Sequence, residues 1–118
     1  MAYKFQLGAA TLSGSLKQEG AIECETSLTI GNAAMYTNTR GQDNVAMGSY
    51  ALYNNTTASY NIALGNSALN SNTTGQYNIG IGYQALYGGT STQFNTAMGY
   101  KAGFYAGGDR NVAIGYQA

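Results

Sequence analysis

Eleven tyrosines and no histidine set the range of chemistry open to this chain of 118 residues. Without an imidazole there is no Ser-His-Asp or Cys-His pair, and the commonest general base and metal ligand is missing. Asp43 and Asp109 lie about four repeat units apart, far beyond the roughly 5–9.5 Å at which two carboxylates cooperate on a glycosidic bond. Gly80-Ile81-Gly82 has no helix signal after it, so it does not read as a phosphate-binding loop. The single cysteine, Cys24, sits in the alternating run Ile22-Glu23-Cys24-Glu25 and reads as a half-buried strand position. No enzyme, metal or cofactor is expected. What remains is aromatic recognition. Tyr83, Tyr100, Lys101, Phe104 and Tyr105, with Asp109 and Arg110 beside them, are the residues that would offer ring faces and polar groups to a sugar. The competing reading is that the aromatic rings stack on one another and shield the chain.

The element that positions these residues is a repeat. NVAMGSYAL begins at Asn44, NIALGNSAL at Asn61, NIGIGYQAL at Asn78, NTAMGYKAG at Asn95 and NVAIGYQA at Asn111, with a weaker copy, SLTIGNAAM, at Ser27. The spacing is 17 residues, with a last step of 16. So regular a period means copies of one structural unit stacked on each other. Counting each unit from its Asn, position 2 holds Leu28, Val45, Ile62, Ile79, Thr96 and Val112. Position 4 holds Ile30, Met47, Leu64, Ile81, Met98 and Ile114. Position 3, between them, is always small. Large-small-large is strand alternation. It suggests that positions 2 and 4 fill the coil, and that small positions 3 and 8 mark surfaces where backbones of different chains meet. Position 5 is Gly in all six copies and reads as a bend with positive φ or no room for Cβ. Position 8 is always Ala, and position 9 is mostly Leu or Met.

One unit therefore reads as strand, bend, short strand and loop, the loops being runs such as Asn54-Asn55-Thr56-Thr57. Parallel stacking places like over like at about 4.8 Å, so six steps span roughly 29 Å. Asn at position 1 is compatible with a hydrogen-bonded ladder or with a left-handed turn. The expected fold is all-β: a parallel β-solenoid of about six 17-residue coils over residues 27–118, preceded by a β-rich attachment or cap segment over residues 1–26 with a turn near Gln18-Glu19-Gly20. A thin coil encloses a small core, and small cores need help. The expected help is further copies of the chain, as a homotrimer.

The units NVAMG, NIALG, NIGIG and NVAIG resemble the NSVAIG-type repeats of trimeric autotransporter adhesin heads. The longer spacing, the NTTG-like loops and GYQAL are similar to repeats of bacteriophage tail-fibre and related virion proteins, as is the opening FQLGAATLSGSLKQEG. The resemblance implies a three-chain parallel β-roll and a structural role in a phage tail fibre, spike or related appendage. Residues 1–26 would then join other virion proteins. The alternative it implies is an adhesin module at the bacterial surface that binds host glycans.

Charge is sparse, five Lys plus Arg against five Asp plus Glu. Glu19, Glu23 and Glu25 are offset by Lys4 and Lys17 and read as a solvated face. Nucleic acid, whose binders carry clustered basic residues, is not an expected partner. The N-terminus lacks a basic and apolar leader, and no stretch reaches the 18 apolar residues of a membrane helix. Cytoplasmic synthesis without signal-peptide export, and no membrane insertion, are the expectations. The sequence stops at Ala118, eight residues into its sixth unit, which suggests a fibre continued by further chain or by another molecule.

Overall fold

The protein is described here over residues 26–118 in a computed structural model. Most of the expected N-terminal segment, with Cys24, lies outside the described residues. Each unit contributes one short strand: β1 Ser27–Ile30, β2 Asn44–Met47, β3 Ile62–Leu64, β4 Ile79–Ile81, β5 Thr96–Met98 and β6 Val112–Ile114. The six form one parallel sheet in sequence order. Its register follows the repeat: Val45 pairs with Ile62, Ile62 with Ile79, Ile79 with Thr96 and Thr96 with Val112. The fold is an all-β parallel solenoid.

The second apolar segment forms a turn rather than a strand. It is nonetheless tied to the next coil by backbone bonds, with Leu52 N donating to Ala68 O at 3.0 Å, Leu69 N to Ala85 O at 2.9 Å and Leu86 N to Ala102 O at 3.0 Å. The loops behave likewise, Thr56 N donating to Thr73 O at 3.1 Å. Stacking therefore satisfies backbone groups around most of the coil, which is why so short a strand suffices.

The interior corrects one sequence expectation. Positions 3 and 8, not 2 and 4, point inward: Ala46, Ala63, Ala97, Ala51, Ala68, Ala85 and Ala102 are all fully buried. Leu52, Leu69 and Leu86 of position 9 fill what space remains, as expected. The reason is width. A coil of one strand and one facing turn has no room for large residues from both sides. A Cβ added at Gly80, the position-3 residue of β4, would already sit 3.3 Å from Leu69 Cγ. Position 8 is thus coil interior, not the chain-to-chain contact its invariance suggested.

The Asn ladder closes each coil. Asn61, Asn78 and Asn95 are fully buried. The backbone N–H of Asn78 donates to Asn61 Oδ1 at 2.9 Å, and that of Asn95 to Asn78 Oδ1 at 3.0 Å. Each side-chain amide also reaches across its own coil, Asn61 Nδ2 to Gly75 O at 2.9 Å and Asn78 Nδ2 to Thr92 O at 2.7 Å. At this corner the left-handed conformation falls on the residue before the Asn and not on the Asn: Tyr60, Tyr77, Phe94 and Arg110 have φ of 61°, 60°, 58° and 61°.

Position 5 shows why only Gly is found there. Gly48, Gly65, Gly82 and Gly99 have φ between 123° and 130°. A Cβ on Gly65 would lie 2.7 Å from Gly82 O in the next coil. Side chain and strand spacing cannot both be kept.

Candidate functional site

With the interior occupied by Ala, Asn and Leu, positions 2 and 4 are left outside. Ile30, Met47, Ile62 and Met98 are exposed, as are Val112 and Ile114, while Val45, Leu64, Ile79 and Ile81 are half-buried. In-register pairing lines these side chains into two apolar rows on the outer face of the sheet. Positions 17 and 6 flank the rows with further rings: Tyr60, Tyr77 and Phe94 on one side, Tyr83, Tyr100 and Tyr116 on the other. No Lys, Arg, Asp or Glu stands at positions 2 to 4 of any unit. The sheet face, three to four residues wide and six strands tall, has an area on the order of 300–400 Å². That is near the size of the largest apolar patch a typical monomer exposes, and such a patch often marks a contact surface. Sequence reasoning found the alternation and assigned its two sides the wrong way round. The signal that distinguishes them is that position 3 is never larger than Thr.

The aromatic columns stack. Tyr60 and Tyr77 are parallel with centroids 5.0 Å apart, Tyr77 and Phe94 5.1 Å, Tyr83 and Tyr100 5.3 Å, Tyr100 and Tyr116 5.2 Å, and Tyr87 and Phe104 5.0 Å. Interplanar angles of 2° to 11° mean that each ring face within a column is covered by its neighbour. The columns therefore present edges and hydroxyl groups to solvent. Sugar stacking needs flat ring faces, which rings inside a column do not offer.

The expected recognition residues gather around the fifth unit. Lys101 Nζ lies 5.4 Å from the Tyr100 ring centroid and 5.6 Å from that of Phe104. Phe104 meets Tyr105 edge to face at 4.6 Å, and Tyr105 is 87% exposed. Lys101, Phe104 and Tyr105 line a cavity of about 500 Å³ with Gln117 and Ala118. Tyr83 joins the group through its stack on Tyr100. Arg110 covers the end of another column, its guanidinium carbon 5.7 Å from the Phe94 centroid. Asp109 Oδ1 accepts a bond from Gln93 N at 2.7 Å.

Two further findings bear on function. Among the described residues no three His, Cys, Asp or Glu side chains approach one another as a metal site would require. No helix among them is long and apolar enough to cross a membrane. No family model, no curated protein and no solved structure matches the chain.

Proposed function

We propose that the chain is a structural virion protein, a homotrimeric β-solenoid segment of a phage tail fibre, spike or related appendage. The observation that carries this reading is the outward apolar face. Three parallel copies about an axis along the stack would turn that face inward and leave only loops and aromatic edges in water. A three-fold axis parallel to the stack keeps the copies in register, so equivalent rows meet. The work of such a protein is mechanical: a stiff spacer whose length scales with the number of repeats. The resemblance of the units to tail-fibre repeats supports the placement in a virion, with residues 1–26 as the attachment to neighbouring virion proteins.

The test is mass in solution. Light scattering of the purified chain is expected to give three times the monomer mass. Ile62→Asp with Ile81→Asp, both outside the coil interior, is expected to give a monomer that keeps its β circular dichroism. A wild-type chain that runs as a monomer sinks the reading. Antibody-labelled native particles in cryo-EM test the virion assignment separately.

A second reading rests on the non-repeating residues Lys101, Phe104 and Tyr105: an adhesin module that binds host surface glycan. Tyr83 and Tyr100 would support that site by holding Lys101 in place. Glycan-array binding that survives Tyr100→Ala and Phe104→Ala counts against it.

A further inference from the structure

We infer that the stacked tyrosines are sites of oxidative cross-linking, at which a peroxidase-class oxidant joins successive coils of one chain through dityrosine. The argument begins with spacing. Tyr60 and Tyr77 differ by one repeat and lie parallel within 3° at 5.0 Å. Rings related by the repeat carry equivalent atoms at nearly the same separation, so the carbons ortho to oxygen on one ring face those on the next. Both rings are about half exposed, 51% and 46%, so an oxidant reaches them and each can rotate toward its partner. Tyr36 with Tyr53 at 5.6 Å and Tyr83 with Tyr100 at 5.3 Å repeat the arrangement. Tyr87 does not, because its stacked partner is Phe104, which has no phenol.

The chemistry balances. A haem peroxidase removes one electron and one proton from each of two phenols. The two phenoxyl radicals join carbon to carbon at their ortho positions. Each joined carbon then loses its hydrogen as a proton while its ring oxygen gains one, which restores two phenols. In total two tyrosines lose two electrons and two protons, and one hydrogen peroxide takes them up to give two waters. The inter-coil bond closes a loop of one repeat and opposes the unstacking of those coils. Proximity does the selecting: a radical held against one neighbour couples there before it meets another.

The test uses the full chain with horseradish-type peroxidase and hydrogen peroxide, followed by peptic digestion and tandem mass spectrometry. The chain is first refolded from a mixture of unlabelled and isotope-labelled material, so that links within a chain carry one label only. The expected result is Tyr60–Tyr77 peptides, short of two hydrogens and singly labelled, at a yield roughly tenfold above that from the urea-unfolded chain. Tyr77→Phe keeps the stack and removes one phenol; the Tyr60 link is expected to vanish while Tyr83–Tyr100 persists. Links spread over unstacked pairs as in the unfolded chain, predominantly mixed-label links, or Tyr60 oxidised without coupling to Tyr77 would each overturn the inference.

Discussion

Replacing Asn78 by Ala tests whether the buried Asn ladder holds the coils together. Asn78 Oδ1 accepts two bonds, from Asn95 N at 3.0 Å and from Asn95 Nδ2 at 3.3 Å. Its Nδ2 donates to Thr92 O at 2.7 Å and to Asn61 Oδ1 at 3.2 Å. The methyl group of Ala makes none of these. Asn61 Oδ1 keeps the Asn78 backbone donor, but two donors of Asn95 lose their acceptor in a place where that residue is fully buried. Each stranded buried donor costs about 1–3 kcal/mol, so the expected loss is roughly 3–5 kcal/mol. Asn111→Ala is the matched control. Asn111 is exposed and donates to Asn95 Oδ1 from its amide at 3.0 Å, and its Oδ1 receives no bond. Its removal should cost about 1 kcal/mol at most. Hydrogen exchange reads the mechanism directly: in Asn78→Ala the Asn95 amide should lose protection while the Asn61 amide, bonded to Asn44 Oδ1, keeps its own. Urea unfolding followed by circular dichroism gives the accompanying stability. Asn78→Asp sharpens the test. Its second carboxylate oxygen would face Thr92 O and Asn61 Oδ1, so burial and oxygen neighbours raise its pKa above the unfolded value. The folded state then binds the extra proton. The variant should be less stable than Asn78→Ala at neutral pH and regain stability as pH falls toward about 4, where the protonated oxygen donates to Thr92 O. Equal losses for Asn78→Ala and Asn111→Ala, or an unchanged Asn95 amide, would refute the reasoning.

Three other perturbations probe the packing. Gly65→Ala puts a Cβ 2.7 Å from Gly82 O at a φ of 129°, whereas Gly115→Ala at a φ of 124° meets nothing nearer than Ala118 Cβ at 4.0 Å. Both carry a backbone strain of about 1–3 kcal/mol, and the excess loss at Gly65, measured by thermal unfolding, reports the close approach of coils. Ala63→Leu should cost about 1–3 kcal/mol or more by overpacking the coil interior, while Met47→Leu on the outer face should leave the unfolding midpoint of the isolated coil nearly unchanged. Ser67→Gly removes a half-buried L side chain held at a φ of 58°, with its exposed 2.8 Å bond to Asn66 Oδ1, and is expected to raise stability by roughly 0.5–1 kcal/mol in the same assay.

How far the sequence specified this molecule differs from residue to residue. The first strand of each unit, its register, the glycine bend and Leu in the interior were legible, because a repeated column shows its constraint six times, whereas the second segment, expected as a strand, is a turn. Gly65 is one of six glycines that obey one rule, and Leu69 one of a column that is large until Gly103. Which side of β3 faces inward was not legible from alternation alone. Period two divides Ile62 and Leu64 from Ala63 without saying which set is inside, and the habit of placing large residues inside gave the wrong answer for a coil this thin. The left-handed turns were also hidden. Leu52, Leu69 and Leu86 have φ of 49° to 52°, and no propensity places Leu there. They hold that conformation because the turn must aim position 9 into the coil while its N–H reaches the carbonyl of the next coil. Tertiary stacking supplies the energy that the local backbone opposes.

The inversion of inside and outside also bears on where recognition can reside. If Val, Ile and Met had filled the coil, the outer sheet face would have been free to carry polar, variable residues, and a binding surface could have run along the strands. Instead the coil is closed by Ala, Leu and Asn, and the outward strand positions are apolar in every unit except at Thr96. A stack whose strand face is apolar and whose aromatic columns cover their own faces has little uniform surface left for a ligand. A specific site needs a break in the repeat, and such breaks stand at Lys101 in place of the Gln at position 7 of the neighbouring units, at Gly103 where the Leu column stops, and in the shortened loop with Asp109 and Arg110. These breaks fall in one unit, the fifth. Reversing two of these breaks, by Lys101→Gln and Gly103→Leu with Gly103 at a φ of 60° close to that of the other position-9 residues, asks Leu86 Cδ2, 2.9 Å from a Cβ built there, to shift and should leave the solenoid folded by circular dichroism. If the fifth unit is specialised for recognition, that variant keeps its assembly state and loses its glycan-array signal. If binding is unaltered, these two residues are not its site, and the irregularity of the fifth unit is not what recognises the glycan.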